Sequence, residues 1–71
     1  MSLHIRVNDW HVVVEGEEHV VLTRDGACGR LIVGQTMARR WRKDLAALGL
    51  YGRHLDEALA YYAVAELGAA S

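Results

Sequence analysis

Residues 3–33 read LHIRVNDWHVVVEGEEHVVLTRDGACGRLIV, and the alternation of apolar and polar side chains along them decides the fold. Successive side chains of a strand point to opposite faces. Leu3, Ile5 and Val7 therefore share one face, and if Asn8-Asp9 makes a two-residue turn, Trp10, Val12 and Val14 continue it. Residue 7 then lies opposite 10, 5 opposite 12, and 3 opposite 14. A three-residue loop at Gly16-Glu17-Glu18 sets 15 against 19, 14 against 20 and 12 against 22, which adds Val20 and Leu22 to that face. A slip of one residue would send the apolar set to the wrong side, so the register is strongly specified. Asp25-Gly26 is a strong hairpin signal, and a two-residue turn there predicts 22 opposite 29 and 20 opposite 31, with Leu31 and Val33 completing the core face. Three turns that agree on one register predict an antiparallel meander of three to four strands over residues 3–33.

The other face of that sheet collects His4, Arg6, His11, Val13, Glu15, His19, Val21, Thr23, Cys28, Arg30 and Ile32. Val13 and Val21 are expected as direct neighbours, with Ile32 diagonal to Val21. Such a half-apolar face is either an ordinary exposed sheet surface built of β-branched residues or a contact for a second subunit.

Beyond Val33 the period changes to that of helices. In TMARRWRKDLAAL, residues 36–48, Thr36 is the expected N-cap, Met37, Trp41, Leu45 and Leu48 form one stripe, and Gly49 is placed to end the helix. A short turn at Leu50-Tyr51-Gly52 leads to a second helix over about residues 54–67, stopped by Gly68, with Ala69-Ala70-Ser71 expected to fray. Leu55, Ala58, Leu59, Tyr62 and Ala63 form its stripe. Ala60, Tyr61, Val64, Ala65 and Leu67 leave the remaining sides nearly as apolar, which points to a partner surface including Tyr61 and Val64. Residues 1–71 are thus expected to make a single small α+β domain, a meander followed by a helical hairpin packed on one face.

Composition narrows the function classes. A chain of 71 residues supplies only a few kcal/mol of net stability from its own core, and 52% apolar residues is a high share for so small a domain. Oligomerisation is the device available, since one cysteine cannot form an internal disulfide. A net charge of −1, from eight basic and nine acidic residues, argues against a strong overall positive field for nucleic acid. No apolar run is long enough for a membrane span, the first residues do not read as a signal peptide, and a cytoplasmic location is expected.

No catalytic motif is found, and no cofactor or metal is expected. The four histidines do not suggest ligation. His4 lies opposite Val13, His11 opposite Arg6 and Thr23, and His19 opposite Glu15, and residues four apart along a strand are roughly 13 Å apart. Cys28 is expected across Thr23 from His11, about 9.6 Å away, beyond the reach of proton transfer. His54 reads as a first-turn or capping residue of the second helix. Arg39, Arg42 and Lys43 are the candidate anion or nucleic-acid contacts, because several guanidinium and ammonium groups on one helix face can grip phosphates or carboxylates. The alternative is a solvated helix face, with Arg40 paired to Asp44.

A strand at Arg30 to Val33 followed by two helices, the second containing LDEALAYY (residues 55–62), resembles the ribbon-helix-helix DNA-binding family over the C-terminal half. That resemblance implies a dimer joined through paired strands whose outward side chains read DNA. This chain departs from the pattern in having Leu-Ile-Val in the strand, an intrachain hairpin partner for it, and few bases in the second helix. The leading expectation is a non-enzymatic protein-interaction module, a homodimer or a binder of another protein. Its interface is placed at Tyr61 and Val64 on the second helix or at Val13, Val21 and Ile32 on the outer sheet face. The alternative is a dimeric DNA-binding regulator.

Overall fold

A computed structural model describes residues 2–68 of the chain. It has four strands, β1 (Ser2–Val7), β2 (Trp10–Glu15), β3 (His19–Arg24) and β4 (Leu31–Val33), then two helices, α1 (Gln35–Ala46) and α2 (Gly52–Ala63), the second prolonged by a π-helical turn at Val64–Gly68. The strands form one antiparallel sheet in the order β1-β2-β3-β4. Both helices lie on its inner face, α2 over β1 and β2 and α1 over β3. The fold is the α+β meander with a helical hairpin expected from the periodicity. The expected fraying of Ala69-Ala70-Ser71 lies outside the described residues.

The first two hairpins have the registers the apolar pattern requires. Val7 faces Trp10, Ile5 faces Val12 and Leu3 faces Val14, while Glu15 faces His19, Val14 faces Val20 and Val12 faces Leu22. Asn8 takes φ 55° in the first turn and Gly16 takes φ 55° in the second, where the Glu18 amide donates to the Glu15 carbonyl at 3.0 Å. The third hairpin differs from expectation. Val20 pairs with Val33, Val21 with Ile32 and Leu22 with Leu31, a shift of two residues that keeps the faces and lengthens the connection to residues 25–30. The Ala27 amide bonds the Arg24 carbonyl at 3.2 Å around Asp25-Gly26, but of these two only Gly26 has positive φ, at 76°. Both tight two-residue hairpin turns, types I′ and II′, need positive φ at the first central residue, which Asn8 has in the first hairpin and Asp25 lacks. The turn forms without returning the chain directly into the ladder, so Cys28 and Arg30 belong to a loop.

Val7, Trp10, Val12, Val14, Val20, Leu22 and Val33 from the sheet meet Ala38, Trp41, Leu45, Leu59, Ala60 and Ala63 from the helices. Each such large aliphatic side chain contributes roughly 1.5–3 kcal/mol by leaving water. The buried stripe of α1 is Ala38, Trp41 and Leu45; Met37, expected on it, is exposed, and Leu48, also expected on it, is exposed beyond the end of the helix at Ala46. At 100° per residue the buried arc is turned by roughly 40° from the expected one. The rotation carries Arg42 toward α2, where it meets Asp56. Trp41 packs edge-on against Tyr62 with ring centroids 5.0 Å apart, which joins the two helices.

The caps also differ in part. Gly34, not Thr36, precedes α1, and no side chain caps the helix. At the other end Gly49 has φ 90°, its amide bonds the Ala46 carbonyl at 3.0 Å, and the Leu50 amide reaches the Leu45 carbonyl at 3.5 Å. Gly49 thus ends the helix in a left-handed conformation as expected, and the two bonds make a Schellman pattern. The turn at Val64–Gly68 brings Gly68 onto Trp10, where an added Cβ would lie 3.2 Å from the indole Nε1.

Candidate interaction site

Helix α2 absorbs most of the apolar surplus assigned to it. Leu59, Ala60 and Ala63 are fully buried, and Leu55, Ala58, Tyr62, Val64 and Leu67 pack against the core. Its alanines allow it to sit closely against both the sheet and α1. Tyr61 remains exposed, but Val64 is half-buried.

The outer sheet face behaves differently, because both helices lie on the inner side. The two-residue shift of β4 places Ile32 directly opposite Val21, and Val21 is opposite Val13, so the three form one row across β2, β3 and β4. Val13 and Val21 are half-buried by their neighbours, while Ile32 is 59% exposed. On the inner side of the same short strand Leu31 is 40% exposed, and Met37, on the flank of α1 turned away from Arg42 and α2, is 49% exposed. Exposed apolar side chains thus flank β4 on both faces of the sheet. The strand is also an edge of the sheet.

The basic helix face divides three ways. Arg42 is not a surface base: it donates to Asp56 Oδ1 at 2.8 Å and to the Gly16 carbonyl, tying α1 to α2 and to the β2–β3 turn. The contact could have been suspected only from the four-residue step between Arg42 and the buried Ala38. Arg39 is exposed and lines a cleft of ≈ 450 Å³ together with Glu15, Glu17 and Glu18. Lys43 stands exposed near the C-terminal end of α1.

A second charged cluster, which the sequence pattern did not flag, fastens the two turns at one end of the sheet. Arg6 bonds Asp25 at 2.6 Å, Arg24 bonds Asp9 at 2.8 Å, and the Asp25 amide donates to the Asp9 carbonyl at 2.9 Å. The Arg24 hydrogen bond, with help from backbone and neighbouring charge and against partial desolvation, holds the Asp9 carboxyl below the usual carboxylate range. The Asp25 hydrogen bond raises the Arg6 guanidinium further above its ordinary value. Arg24 also lies over the Trp10 ring, 5.7 Å from its centroid. Exposed Cys28 lines a ≈ 380 Å³ cleft with Trp10, Arg24 and Leu31, in the loop rather than beside Thr23.

The histidines require a correction. His4 and His11 touch, with His4 Nδ1 3.3 Å from His11 Nε2 and ring centroids 5.4 Å apart. The four-residue separation holds for His11 and His19, but His4 faces Val13, only two residues from His11. Diagonal neighbours of that kind are within reach of aromatic side chains. His19 lies 3.6 Å from Glu15 instead, and His54 is exposed in the first turn of α2. Among the described residues no group of three or more His, Cys, Asp or Glu is arranged to hold a metal, and no helix is long and apolar enough to cross a membrane. No family model matches the chain, and no curated protein and no solved structure matches it.

Proposed function

We propose that the chain is a small non-enzymatic interaction module that pairs with a second copy of itself along β4. The observation that carries this reading is the exposure of Leu31, Ile32 and Met37 around one edge strand. A free edge is a template for another strand, and chains that remain single guard it with charge. β1, the opposite edge, exposes His4 and Arg6, whereas β4 consists of Leu31, Ile32 and Val33 alone. Antiparallel pairing about a two-fold axis at Ile32 sets Leu31 opposite Val33 of the second copy and Ile32 opposite its own counterpart. It extends the row of Val13, Val21 and Ile32 across the joint and brings Leu31 and Met37 of both copies together on the helix side.

Sedimentation at micromolar concentration is expected to show a dimer that Ile32→Lys dissociates and that Tyr61→Ser does not. A monomer throughout that range refutes the reading, and loss of the dimer with Tyr61→Ser but not Ile32→Lys moves the interface to α2. A DNA-binding regulator is less well supported. Arg42 is engaged with Asp56 and Arg39 shares its cleft with three glutamates, which weakens the positive field of this helix face toward phosphates.

A further inference from the structure

Among the unassigned features, the pair His4 and His11 has the most specific geometry. We infer that these two imidazoles form a chelating site for a borderline divalent cation such as Zn(II), on the outer face of the β1–β2 hairpin.

The first support is distance. A cation bonded to two nitrogens at about 2.05 Å with a tetrahedral angle needs those nitrogens roughly 3.3 Å apart, and His4 Nδ1 and His11 Nε2 are 3.3 Å apart. As a hydrogen bond the same contact is long. Either ring nitrogen of a neutral imidazole can serve as a metal ligand. The second support is preorganisation. The two side chains rise from paired strands, with His4 opposite Val13 and His11 opposite both Arg6 and Thr23, so the ladder on each side fixes their bases. The nearest cationic neighbour, Arg6, is paired with Asp25 at 2.6 Å, which offsets its repulsion of a bound ion.

The donor set selects the ion. Imidazole suits zinc, copper and nickel, whereas magnesium and calcium take oxygen ligands. Both histidines are exposed, so the remaining coordination positions are open to water or to a group from another molecule. The site is independent of the β4 edge, and it is tested separately.

Zn(II) is titrated into the full chain and followed by calorimetry and by the ring-proton resonances of the four histidines. His4 and His11 are expected to shift together at one stoichiometric equivalent while His19 and His54 remain unmoved. His4→Ala and His11→Ala are each expected to weaken binding by about tenfold or more through loss of the chelate, and His19→Ala to leave it unchanged. All three positions lie outside the core, so the backbone spectra of the variants serve as the control for folding. Affinity retained within about twofold in both His4→Ala and His11→Ala overturns the assignment, as does absence of any Zn(II)-dependent shift at the two rings.

Discussion

Replacing Arg42 by alanine removes a side chain that holds three parts of the fold at once. Its side chain is 15% exposed, that of Asp56 is 33% exposed, and the bond between them is 2.8 Å long. A hydrogen bond to a charged group contributes about 1.5–3 kcal/mol when desolvated. Arg42 makes two, one to Asp56 and one to the Gly16 carbonyl. Asp56 regains water when its partner leaves, and the Arg42 Nε, buried without a partner among the described residues, is a cost that alanine abolishes. Allowing for both, the expected loss is about 2 kcal/mol, which in a domain of this size lowers the melting temperature by roughly 8–16 °C. Thermal unfolding followed by circular dichroism, with Arg42→Ala, Asp56→Ala and the double variant, separates the pair from the rest of the helix face. A coupling of about 1 kcal/mol is expected between the two positions. If Arg42→Ala stays within about 0.5 kcal/mol of the parent, or the two changes simply add, Arg42 is an ordinary surface base and the structural role assigned to it fails.

Gly49→Ala forces a Cβ onto a residue with φ 90° at the end of α1 and should cost about 1 kcal/mol, read as a fall of roughly 4–8 °C in melting temperature. Asp9 is expected to titrate below the ordinary carboxylate range in a carbon-detected NMR titration, and Arg24→Ala should return it upward. Because its folded value is depressed, the stabilisation linked to Asp9 is present above the ordinary carboxylate value and disappears as pH falls through the depressed one.

Much of this architecture can be derived from the alternation in residues 3–24 alone. Where one face of a strand is buried, a slip of one residue exposes every apolar side chain, so Leu3 to Leu22 permit a single register in the first two hairpins. The same parity protected the faces of Leu31 and Val33 when the third register moved by two residues. Gly49 was likewise legible, since positive φ at a helix end favours glycine for local steric reasons. What escaped the sequence was set by contacts between elements. Asp25 is held at the surface by Arg6 and the Asp9 carbonyl, and the rotation of α1 about its axis and the close seating of α2 depend on what each meets across the core. The candidate sites follow the same division. Val13, Val21 and Ile32 could be placed on one outer face by counting, but their alignment in a row awaited the actual β4 register. Arg42 left the basic face only because Asp56 and the Gly16 carbonyl lie on other elements, and His4 met His11 because the pairing of two strands made them diagonal neighbours. Local periodicity determines which side chains share a face; distances between faces are decided by packing, which no single segment contains.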